Sequence, residues 1–151
     1  MIILGIVIYM GGTKMIINVN TMIDLPVEKV WELWTKPTHI VYWNNASDDW
    51  HTTKATNDLR AGGKFSSRME AMNGSFGFDF SGYHKEVKLY SLISSVLDDG
   101  RLMSVSFKEI DGRTFVSEDF EAEIENSIEL EKTGWQAILD NFKKYAEGQG
   151  E

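Results

Sequence analysis

The stretch "YWNNASDDWHTT", Tyr42 to Thr53, gathers the side chains best suited to chemistry. Asp48, Asp49 and His51 put two carboxylates and an imidazole close together. Such a set could hold a cation, or form a histidine base oriented by a carboxylate. A zinc site, however, needs three or four converging ligands. The histidines are His39, His51 and His84, and no two of them stand four residues apart on a helix. Adjacent aspartates in an extended segment also point to opposite sides. The stretch therefore reads as a polar loop on a rim, with Trp50 turning inward as a strand begins. No metal ligand, catalytic residue or cofactor is assigned.

Other reactive groups have equally plain readings. Asp79 sits in "FGFDF", where an inward carboxyl would titrate high. Strand alternation places it opposite Phe78 and Phe80, facing solvent. Arg68 and Glu70 share a strand face with Lys64 and Ser66, as an outward or cross-strand set. "LRAGGKFS" lacks the glycine spacing of a phosphate loop. No G-x-S-x-G elbow is present, so serine-hydrolase chemistry has no handle. With no cysteine, disulfides and thiolate nucleophiles are excluded, and the chain suits a reducing cytoplasm.

These residues must be positioned by one domain. The chain has 151 residues, 42% of them hydrophobic, enough for a single core. Its net charge of −8, without a basic stripe, argues against nucleic acid. The acidic run "SEDFEAEIENSIELE", Ser117 to Glu131, reads as a solvated strand edge leading into a helix N-terminus. The apolar run opening "MIILGIVIYMGGTKM" is about ten residues, too short for a membrane-spanning helix. Residues 1–14 read as an N-terminal extension of uncertain role, with Met15 a candidate natural start. One domain is expected over residues 15–147, followed by a tail over residues 148–151.

Met15 to Ile23 alternate as a half-buried strand. "DLPVEKVWELWTKP" follows, with Pro26 in the first helical turn and Val27, Val30, Trp31 and Trp34 on one stripe. Pro37 is expected to stop that helix, and Thr38 to cap a short second one through Trp43. The period then changes to two. Phe65, Ser67, Met69 and Ala71 share one strand face, and Asn73-Gly74 marks a hairpin. Phe76, Phe78 and Phe80 follow on one face. Further strands are expected near Leu89–Leu97, Leu102–Lys108 and Thr114–Phe120, turned by Asp99-Gly100 and Asp111-Gly112. A long helix closes the chain, capped by Asn126 or Ser127 and stopped by Gly148. Ile128, Trp135, Ile138, Leu139, Phe142, Tyr145 and Ala146 keep helical spacing along it.

The fold class is α+β. A curved antiparallel sheet of about seven strands wraps the long C-terminal helix, with two short helices after the first strand. Such a sheet leaves a space beside the helix, lined by Phe, Met and Trp. Trp43, Phe65, Met69, Phe78, Phe80, Trp135 and Phe142 are the candidate ligand-binding residues. Trp31 and Trp34 read as plain core. Gly134 costs about 1 kcal/mol inside a helix, which a close contact or a bend over the pocket would explain.

The stretches "PVEKVWELWTKPTHIVYW", "LRAGGKFSSRME", "GSFGFDFSGYHKEV" and "GWQAILDNFKKYAE" resemble the helix-grip fold of the START-like (SRPBCC) superfamily. Within it the sequence is similar to bacterial relatives of the C-terminal domain of the activator of heat-shock-protein-90 ATPase. The resemblance implies a cavity for a small hydrophobic or aromatic ligand, with no cofactor. It also opens two alternatives. One is an interaction domain acting on a chaperone ATPase, although the further N-terminal domain of the co-chaperones is not found in this sequence. The other is a cyclase or hydrolase using His51 with Asp49 or Asp79.

Overall fold

The computed structural model describes residues 6–9, 12–123 and 128–149. The strands and helices, in chain order, are β1 (Ile6–Tyr9), β2 (Gly12–Ile23), α1 (Val27–Thr35), α2 (Pro37–Trp43), β3 (Trp50–Asn57), β4 (Lys64–Ala71), β5 (Gly77–Lys88), β6 (Leu92–Leu97), β7 (Leu102–Ile110), β8 (Arg113–Glu121) and α3 (Ile128–Gln149).

All neighbouring strands pair antiparallel, in the order β1-β2-β8-β7-β6-β5-β4-β3. After β2 the chain crosses through α1 and α2 to the far edge. It then meanders back, strand by strand, until β8 pairs with β2. Strands β2 to β8 make the seven-stranded curled sheet of an α+β helix-grip fold, and α3 lies in its grip. Residues 12–15 of β2 pair with β1, whereas residues 16–23 pair with β8, so the first hairpin overhangs the sheet.

Turn chemistry sets the meander. Asp111 and Gly112 both have positive φ, 52° and 79°, as a tight two-residue hairpin requires. The β5–β6 turn differs from the sequence expectation. Leu89 to Ser91 form the turn rather than opening a strand, with Tyr90 at φ 63°. No glycine or asparagine marks it, so propensity alone reads through.

Helix boundaries bring two more corrections. Pro37 does not merely stop α1; it opens α2, with Lys36 rather than Thr38 at the cap position. Proline suits the first helical position because the missing N–H would have had no partner there. Gly148 lies inside α3, which runs to Gln149. The expected caps Asn126 and Ser127 lie outside the described residues.

The solid core occupies one end of the grip. Val30 and Leu33 of α1, Ile23 of β2, Val116 of β8, and Leu139, Phe142 and Ala146 of α3 are all fully buried. Trp31 meets Phe107 edge-on at 5.2 Å. The two tryptophans Trp34 and Trp43 stack at 4.7 Å, and each turns an edge toward Phe142 at 4.9 Å.

Candidate functional site

Beyond those two tryptophans the grip is hollow. A pocket of about 450 Å³ lies between the inner face of β3 to β8 and the first half of α3. Strand alternation supplies its walls. Phe65, Ser67 and Met69 project from β4, Phe78, Phe80 and His84 from β5, Ile93 and Ser95 from β6, Met103 and Val105 from β7, and Glu118 from β8. Gly134, Trp135 and Ile138 of α3 form the opposite wall.

Local contacts hold these rings in place. The Trp43 indole N–H donates to the Leu33 carbonyl at 3.0 Å, fixing the angle between α1 and α2. The Asn141 amide of α3 donates to the Trp43 carbonyl at 2.8 Å. Trp135 stacks on Phe120 at 4.2 Å and meets Phe80 edge-on at 5.6 Å. Phe65 lies flat on His84 at 5.0 Å. Gly82 allows this, since a Cβ there would stand 3.0 Å from the Phe65 ring and collide with the Val96 carbonyl.

Six of the seven candidate residues, Trp43, Phe65, Met69, Phe78, Phe80 and Trp135, line this one pocket. Phe142 does not; it is fully buried in the solid core, behind Trp34 and Trp43. Trp34, read as core, also lines the pocket. Phe76 precedes β5 and is 62% exposed. The opening loop borders the site: Asn44, Ala46 and Trp50 line the pocket, while Asp48 and Asp49 are exposed. His51 is half-buried opposite Glu70 in the β3–β4 register. Among the described residues no three metal-ligating side chains come together. Asp79 is outward and meets Arg68 at 3.5 Å, and Arg68 also bonds Glu70.

Polar residues of the site that sequence reasoning missed are His84 and Glu118. His84 is buried, with Nε2 2.7 Å from Asn57 Oδ1 and Nδ1 2.9 Å from Ser95 Oγ. Because an amide oxygen only accepts, Nε2 carries the hydrogen, and Ser95 donates to Nδ1. Burial holds the imidazole below its ordinary pKa, with Asp58 opposing that shift. His84 is thus a neutral, fully engaged brace rather than a free base.

Glu118 overturns the reading of the acidic run as solvated. It is 3% exposed because Thr114, Val116, Glu118 and Phe120 share the inward parity of β8. Burial pushes its carboxyl up to about 8. Glu121 is buried too, and accepts the Leu102 N–H at 2.7 Å. Nearby, Arg101 gathers Asp99 at 2.8 Å, Glu123 at 3.1 Å and Glu131 at 3.7 Å. The signal was present in the sequence: Val116 and Phe120 flank Glu118 at the strand period.

A curled antiparallel sheet gripping a C-terminal helix defines a protein of the START-like superfamily. Residues 24–147 match the family model described as "Activator of Hsp90 ATPase homolog 1-like protein", and the chain belongs to that family. The AHSA1-like protein from Aeromonas hydrophila is 44% identical, with a TM-score of 0.85 over 90% of this chain and 94% of that one. Chr148 from Cytophaga hutchinsonii is 42% identical, with a TM-score of 0.77 over 87% and 92%. CalU16 from Micromonospora echinospora, 20% identical, shares the fold with a TM-score of 0.67 over 97% and 85%. No curated protein matches the chain. No described helix is long and apolar enough to cross a membrane.

Proposed function

We propose that this chain is a binding protein for a small apolar or aromatic molecule, held between the sheet and α3 without a metal or cofactor. The supporting observation is the aromatic pocket of about 450 Å³. That volume falls within the ~300–1,000 Å³ usual for small-molecule sites. Trp43, Phe65, Met69, Phe78, Phe80 and Trp135 contact the ligand, and Phe142 supports Trp43 from behind. The proposed binding unit is residues 15–147, and its lack of cysteine suits a reducing, cytoplasmic setting.

The test is a titration with 1-naphthylmethanol followed by amide chemical shifts and calorimetry. Shifts are expected on β4, β5 and the Gly134–Ile138 face of α3. The heat-capacity change is expected to be negative, because apolar surface is buried. Phe80→Asp should weaken binding at least tenfold, whereas His51→Ala and added chelator should leave it within twofold. The reverse order would move the site to the polar loop.

The family description favours a second reading, modulation of a chaperone ATPase. Exposed Phe76, edge-on to the pocket-lining Trp50, offers an apolar contact at the rim. Saturable binding to a chaperone that is lost in Phe76→Ser, with Phe80→Asp unaffected, would support that reading.

A further inference from the structure

We propose that the pocket selects an apolar amine, with Glu118 as the counter-ion of its ammonium group and the aromatic walls around its hydrocarbon body. This rests on the ligand-binding reading above and names the chemistry of the ligand.

The first ground is Glu118 itself. It lines the pocket, is 3% exposed, and its carboxyl makes no hydrogen bond or ion pair among the described residues. A buried carboxyl without a partner is costly, so a ligand that supplies one gains from it. The cross-strand registers place it among apolar neighbours: Glu118 pairs with Val105, Val105 with Ile93 and Ile93 with Val87. The next inward row along the strands is Phe120, Met103, Ser95 and His84.

The second ground is that the other carboxylates of the pocket, Glu123 and Glu131, already face Arg101, although Glu131 Oε2 is buried without a hydrogen bond. On β2 the register partner is Val19, and β7 brings Met103 and Val105. The titratable groups facing the pocket from other elements are His84 of β5, Glu131 of α3, and Arg101 and Glu123 in the connecting segments. His84 is held by Asn57 and Ser95, and Arg101 by Asp99, Glu123 and Glu131. Among the described residues, no free cation is therefore offered to a carboxylate ligand.

The third ground is the field around the site. Glu123 and Glu131 line the same pocket as Glu118, and the whole chain carries −8. Such a field draws cations and repels anions. Trp34, Trp43 and Trp135 also line the hollow, and indole rings attract cations.

The proton balance follows. Near neutral pH the empty pocket holds Glu118 as the acid, and the free amine is an ammonium ion. The complex pairs ammonium with carboxylate. One proton therefore leaves Glu118 for the buffer on binding, and no other bond changes.

Three matched probes test this: 1-naphthylmethylamine, 1-naphthylmethanol and 1-naphthoic acid. Calorimetry at pH 7 in phosphate and in Tris, which differ in ionisation heat, counts the protons. The amine should bind about tenfold or more tighter than the alcohol, and the acid weakest. About one proton should be released, and amine affinity should rise up to about tenfold per pH unit between pH 6 and 8. Glu118→Gln should lose the amine preference and keep the alcohol affinity. If the unaltered protein binds the alcohol as tightly as the amine, or Glu118→Gln keeps the amine preference, the amine assignment is overturned and the apolar pocket stands. If none of the three binds, the pocket reading falls and the assignment with it.

Discussion

The two halves of α3 meet the same sheet on different terms. From Leu139 onward the inward side chains are sealed: Leu139, Phe142 and Ala146 are fully buried. From Ile128 to Ile138 no residue of the helix reaches full burial. Both halves carry large apolar residues at helical spacing, so composition does not separate them. What differs is the facing layer. α1 and α2 fill the space over the second half with Trp31, Leu33 and Trp43, and no helix does so over the first. The stacked Trp34–Trp43 pair is the boundary, solid on its Phe142 side and open on the other. A domain of this build places its stability at one end and its free volume at the other.

The largest expected effect tests that division directly. Phe142→Ala removes a fully buried ring from the sealed half, and such truncations cost about 3–5 kcal/mol. Trp135→Ala removes a larger ring from the open half, where one side already faces free space. Its cost should be clearly smaller, and its effect on naphthylmethanol binding larger. Urea unfolding and calorimetry on both variants measure the pair. Equal stability losses would mean that the pocket closes in solution.

The open end also holds a buried carboxyl whose pKa is raised. Glu118 has a folded-state pKa of about 8 against an ordinary 4.5, so folding favours its protonated form. Its stabilising contribution is full below pH 4.5 and is lost as pH rises through 8. Within that window the loss is at most about 1.4 kcal/mol per pH unit. Glu118→Gln, which cannot ionise, should match the unaltered protein at pH 5 and exceed it in thermal midpoint at pH 8.5. A constant difference between the two across pH 5 to 8.5 would show that the carboxyl is solvated.

The same division explains what could be read in advance. Alternation and the Asn73-Gly74, Asp99-Gly100 and Asp111-Gly112 turns are local signals, so the meander and its inward faces were legible. That was enough to name Phe65, Met69, Phe78 and Phe80. Phe142 could not be told from Trp135, because helical spacing gives a side chain's direction and not what faces it. Glu118 escaped because acidic residues are mostly exposed, and that prior outweighed the strand parity of Val116 and Phe120. The Tyr90 turn carries no glycine, asparagine or proline.

The smallest effect concerns Gly134, in the open half of α3. A close contact was one possible reason for a glycine there, and the structure removes it: a Cβ at this position meets nothing within 4 Å. Its φ lies outside the positive region, so alanine fits the backbone. Gly134→Ala should therefore stabilise the protein by about 0.4–1 kcal/mol, through the lower entropy of the unfolded chain. The added methyl group meets open space and should barely change the affinity for 1-naphthylmethylamine. Gly134→Phe carries the same argument to its limit. Its ring would enter the hollow from the helix side and exclude naphthyl probes, with the fold held by the sealed half. Thermal unfolding alongside a naphthylmethanol titration separates the two outcomes. Loss of stability in the alanine variant would mean that α3 is bent at this position and needs glycine for its backbone.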